Sequence, residues 1–70
     1  MSFKVGDQVS LKAPLPYLKT ADSMPMLRPP DLVSPEEVGR VKGLRALGVV
    51  EVLFRRGCFL ISEDRLKLVS

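Results

Sequence analysis

Residues 49–61 read Val-Val-Glu-Val-Leu-Phe-Arg-Arg-Gly-Cys-Phe-Leu-Ile. Two runs rich in β-branched and aromatic residues flank a short polar stretch with a glycine, the pattern of a β-hairpin. A two-residue loop at Arg56-Gly57 would pair Arg55 with Cys58, Phe54 with Phe59, Leu53 with Leu60 and Val52 with Ile61. Side chains alternate along a strand, so Val50, Val52, Phe54, Phe59 and Ile61 then share one face. That face is the natural core. The other face carries Val49, Leu53, Cys58 and Leu60 beside Glu51 and Arg55, and is too apolar to be plain solvated surface. Either a proline-rich segment earlier in the chain or a partner must cover it.

Working outward, residues 37–44 resume an apolar pattern at Val38, Val41 and Leu44, interrupted by Gly39 and Gly43. Glycine inside a short strand marks a bulge or a sharp bend. Residues 43–48 read as a turn, in which Leu44-Arg45-Ala46-Leu47 could form one helical turn. Near the start, a Gly6-Asp7 turn signal precedes Val9 and Leu11, which alternate with Gln8, Ser10 and Lys12. Near the end, Ser62-Glu63-Asp64-Arg65 reads as a turn or short 3₁₀ segment, and Leu66 to Val69 as a last strand. No helix of useful length is signalled. Five short strands in 70 residues predict one all-β domain over 1–70, a small five-stranded barrel with one long Pro-rich loop after the first strand. Closure removes the unprotected edges that so small an open sheet would expose. Val9, Leu11, Val41, Val50, Val52, Phe54, Phe59 and Ile61 are the expected core.

The long loop is residues 14–35, and all six prolines of the chain fall inside it. It also carries Leu15, Tyr17, Leu18, Met24, Met26, Leu27, Leu32 and Val33. A flexible linker would avoid such residues, whereas proline lowers the entropy lost on ordering. An ordered loop of this length is where function concentrates. Flexible methionines beside a stiff backbone and a planar cation suit protein recognition. The candidate partner-binding residues are therefore Tyr17, Met24, Met26, Leu27 and Arg28, with Arg55 and Arg56 at the hairpin tip. Each has a plainer reading. Met24, Met26 and Leu27 could cap an open barrel end, Tyr17 could anchor the loop, and the two arginines could simply solubilise the tip.

Chemistry that is missing narrows the function further. The chain has no histidine and one cysteine. Histidine-based triads and the usual Cys/His zinc sites are thereby excluded. Cys58, beside Phe59 in a strand, reads as an inert packed thiol, and no phosphate-binding glycine motif occurs. The acidic pairs Glu36-Glu37 and Glu63-Asp64 read as solvated charge. No catalytic residue, metal or cofactor is expected, so the domain reads as a non-enzyme. The start of the chain lacks the apolar core of a secretory signal, and no apolar run reaches the ~20 residues of a membrane span. A cytoplasmic protein without direct membrane insertion is expected. The formal charge is +3 and uneven, because from Arg40 onward seven basic residues face three acids. That half keeps a nucleic-acid-binding module as the alternative function. The mixed first half, the apolar loop and the shortage of aromatic stacking platforms oppose it, so no nucleic-acid partner is expected.

Residues 16–32, Pro-Tyr-Leu-Lys-Thr-Ala-Asp-Ser-Met-Pro-Met-Leu-Arg-Pro-Pro-Asp-Leu, resemble the characteristic stretch of the cyanobacterial SipA family, the NblS-interacting protein A group. Residues 56–61, Arg-Gly-Cys-Phe-Leu-Ile, and the opening Phe3-Lys4-Val5-Gly6-Asp7-Gln8-Val9 are similar to that family too. The resemblance implies an SH3-like barrel. It also implies a non-enzymatic regulator that binds the ATP-binding domain of an NblS-like sensor histidine kinase and stimulates its autophosphorylation. An OmpR-type response regulator similar to RpaB is a further implied partner. The chain departs from the pattern at Leu44-Arg45-Ala46-Leu47-Gly48, where the family has a glycine-rich turn with aromatics. A subunit of a photosynthetic electron-transfer complex, where similar barrels occur, is a third reading that rests on fold analogy alone.

Overall fold

The structure is a computed structural model that describes residues 3–21, 24 and 26–69. Asp22, Ser23 and Pro25, which belong to the proline-rich stretch, lie outside the described residues. Seven strands occur among the described residues: β1 (Gln8–Leu11), β2 (Leu18–Thr20), β3 (Leu27–Arg28), β4 (Gly39–Leu44), β5 (Val49–Phe54), β6 (Gly57–Ser62) and β7 (Leu66–Leu68). They form one antiparallel sheet in the order β3-β2-β6-β5-β4-β1-β7. The only helical segments described are single 3₁₀ turns at Pro30–Leu32, Ala46–Gly48 and Glu63–Arg65.

The all-β class is as the sequence predicts; the strand count is not. Residues 14–35 do not form one uninterrupted loop, because they contribute β2 and β3 as a hairpin. Thr20 closes this hairpin with Met26: its N–H donates to the Met26 carbonyl at 2.8 Å, and its Oγ1 accepts from the Met26 N–H at 2.9 Å. Leu18-Lys19-Thr20 has the buried–exposed–buried alternation of a strand. Three residues flanked by prolines are too few for that period to stand out.

The β5–β6 hairpin turns one residue earlier than the sequence suggests. Arg55-Arg56 form the loop, Phe54 pairs with Gly57, Val52 with Phe59 and Val50 with Ile61. Neither arginine takes a positive φ; Gly57 does, at +138°. Glycine is the residue that accepts such a backbone, which moves it out of the loop and into the closing pair. Each partner is thereby displaced by two residues. An even shift preserves the pleat, so the expected core face survives the change.

All eight expected core residues are buried, joined by Phe3, Leu18, Val33 and Leu66, with Leu15 and Leu32 packed against them. One cluster thus draws on β2 near one edge of the sheet and on β7 at the other. With no helical layer among the described residues to cover it, the sheet must wrap around this cluster. The Phe54 and Phe59 rings meet in the core with centroids 6.4 Å apart. Ser10 is buried as well, against the simple alternation expected of β1.

The glycines of β4 have different tasks. Lys42 is the extra residue of a bulge, since Val41 pairs with Val52 but Gly43 with Glu51. Gly39 is instead a point of close approach. A Cβ there would stand 2.7 Å from both Phe54 Cε1 and Val52 Cγ1. The Phe54 ring lies on backbone that only glycine leaves free.

Candidate functional site

The register of β5 and β6 gives the sheet two ends. Val49 and Ser62 pair at one end, Phe54 and Gly57 at the other. Six-residue strands place these ends ~17 Å apart. The candidate residues divide between them.

At the Val49–Ser62 end, Tyr17 lines an open groove of about 250 Å³ with Leu15, Pro16, Lys19, Val49 and Leu60. The groove arises because β2 adds to β6, with Lys19 opposite Leu60. Leu15-Pro16-Tyr17, which lead into β2, line it beside Val49 and Leu60 of the hairpin. The proline-rich segment therefore covers part of the hairpin's apolar outer face and leaves part open. Val49, Cys58 and Leu60 are half-buried, while Leu53 remains exposed. Tyr17 is itself 52% exposed, which is not the burial of a loop anchor. Lys19 and Arg65 supply positive charge at the groove.

Met26, Leu27 and Arg28 lie on or beside the edge strand β3, with Leu27 opposite Lys19. Met24, Met26 and Leu27 are 82%, 55% and 65% exposed. They do not cap the core, so the packing role allowed by the sequence is not theirs. Core contact in this part of the chain comes from Leu18, Leu32 and Val33 instead.

At the Phe54–Gly57 end, Arg28 and Arg56 meet around a cleft of about 380 Å³, with Thr20, Leu32, Cys58 and Phe59 completing its wall. No acid lines it, and the one salt bridge among the described residues lies elsewhere, between Arg45 and Glu51. Arg55 stands apart at the tip. Its backbone N–H donates to Glu37 Oε2 at 2.8 Å, which ties the tip to the segment leading into β4. The structure thus joins Arg28 to Arg56, places Tyr17 at the opposite end, and puts Met26 and Leu27 on the exposed edge.

Sequence reasoning missed Leu15, Val49 and Leu60 as lining of the Tyr17 groove. The signal was present for Val49 and Leu60, whose face was already too apolar for solvent. Among the described residues no cluster of His, Cys, Asp and Glu could hold a metal ion. No helix of the described residues is long and apolar enough to cross a membrane.

Searches of curated proteins and of solved structures return no match. The family model described as Protein CHLORORESPIRATORY REDUCTION 42-like matches residues 5–66, which takes in every strand except the end of β7. The chain therefore belongs to the chlororespiratory reduction 42-like family.

Proposed function

We propose that this chain is a non-enzymatic, cytoplasmic protein-binding regulator, folded as an SH3-like barrel, that docks on the ATP-binding domain of a sensor histidine kinase and stimulates its autophosphorylation. The observation that carries the protein-binding reading is the apolar surface that the fold leaves open. Tyr17 borders a groove floored by Val49 and Leu60, and Leu27 and Met26 stand exposed on the adjoining edge strand. A small domain rarely leaves such side chains uncovered without a partner. Aromatic residues, Met and Arg are the types enriched at protein interfaces. The choice of a kinase rests on the likeness of residues 16–32 to the SipA family. An OmpR-type response regulator is a second candidate partner on the same grounds. The mechanism we infer is population shift: the regulator binds best to the arrangement of the ATP-binding domain that permits phosphoryl transfer.

The test is a titration of a purified sensor-kinase ATP-binding domain, with autophosphorylation of the whole kinase read in parallel. Met26→Asp with Leu27→Asp places charge in the docking surface and should abolish both binding and stimulation. Arg55→Glu with Arg56→Glu should weaken binding without abolishing it. Loss of binding in the arginine pair alone, with the Met26/Leu27 pair unaffected, would shift the working surface to the hairpin tip.

A further inference from the structure

The turn between β4 and β5 holds a leucine in an unfavourable backbone conformation. Leu47 is 99% exposed and adopts φ 64°, ψ 31°, the only positive φ outside glycine among the described residues. Both features cost free energy. The left-handed conformation crowds a leucine Cβ against the following carbonyl, and full exposure leaves the side chain in water. At 99% exposure the leucine side chain recovers neither cost by packing among the described residues. Asn or Gly would suit the same backbone better.

The turn is nonetheless held firmly. The Arg45 N–H donates to the Val49 carbonyl at 2.8 Å, and Arg45 Nη2 donates to Glu51 Oε1 at 3.0 Å. Strain kept in place by its surroundings is found mostly at functional positions. Leu47 also borders a cleft with Gly48, Ser62, Glu63 and Asp64. Glu63 lies beside Gly48, where a Cβ would meet its Cγ at an ordinary contact distance of 3.5 Å. Ser62 lines the Tyr17 groove as well.

We propose that Leu47 is a recognition residue, a knob that enters an apolar socket on the protein partner. Glu63 and Asp64 beside it would face lysine or arginine side chains at the rim of that socket. These two acids also select against an anionic lipid surface, which they would repel. The inference rests on the protein-binding reading above and extends its surface to a residue outside the proline-rich segment.

The experiment compares the full chain with its Leu47→Asn and Leu47→Asp variants by thermal unfolding and by titration against a sensor-kinase ATP-binding domain. The expected result is a melting temperature for Leu47→Asn equal to or above that of the parent, with binding weakened by about tenfold or more in both variants. Equal binding by parent and variants overturns the assignment of Leu47 while leaving the kinase reading intact. A parent chain that does not bind the domain overturns the kinase reading, and with it the partner named here. A lower melting temperature for Leu47→Asn shows that the leucine serves the fold, and overturns the proposal. Adsorption of the parent, but not of Leu47→Asp, to phosphatidylglycerol vesicles would assign the knob to lipid instead.

Discussion

The Phe54 ring closes the core against Gly39, where a Cβ would stand 2.7 Å from Phe54 Cε1. Val50, Val52, Phe54, Phe59 and Ile61 share the core face whichever of the two hairpin registers is taken, because the registers differ by an even number of residues. Face was therefore legible and pairing was not. The turn chemistry that decides the pairing sits in one glycine, and Gly57 fits either arrangement on paper. Gly39 has the opposite character, since its reason for being glycine is tertiary: the Phe54 ring occupies the place of its Cβ. Gly39→Ala should therefore destabilise the domain by about 1–3 kcal/mol through overpacking. Phe54→Ala, which leaves a cavity instead, should cost about 3–5 kcal/mol. Chemical denaturation checks both, and an unchanged unfolding midpoint for Gly39→Ala would contradict the contact with Phe54.

At the scale of elements, the segment from Pro14 to Pro35 was understood in part. Its part in building a surface follows from apolar residues set among prolines. Its two short strands do not, because two or three residues carry too little periodicity to distinguish strand from loop. Leu18 and Val33 lie buried within it, while Met24, Met26 and Leu27 face outward, and no local pattern separates the two groups. For Leu18 the inward direction is set by the pairing of β2 with β6. The hairpin tip is a second case of non-local control. Glu37, eighteen positions away, accepts from the Arg55 N–H. Glu37→Ala should speed hydrogen exchange at the Arg55 amide and cost about 0.5–1.5 kcal/mol. Glu37→Gln, which keeps an acceptor oxygen, should restore most of the protection. Equal exchange in the parent and Glu37→Ala would show that the bond does not hold the tip.

The molecule as a whole presents two chemically distinct ends joined by one curled sheet. One carries the Tyr17 groove and Leu47, the other the cleft between Arg28 and Arg56. The uneven charge of the sequence is consistent with the arginine end, but could not say that Arg28, from the proline-rich segment, would join Arg56 there. If the arginines dominated recognition, affinity would fall steeply with salt, as counterion release requires for a nucleic-acid ligand. If the apolar end dominates, binding should survive physiological salt. The measurement that separates these most directly maps amide chemical shifts of the isotopically labelled chain as an unlabelled sensor-kinase ATP-binding domain is added. The largest changes are expected at Tyr17, Lys19, Leu27, Leu47, Val49 and Leu60. Changes confined to Thr20, Arg28, Arg56 and Cys58, or no changes at all, would contradict it.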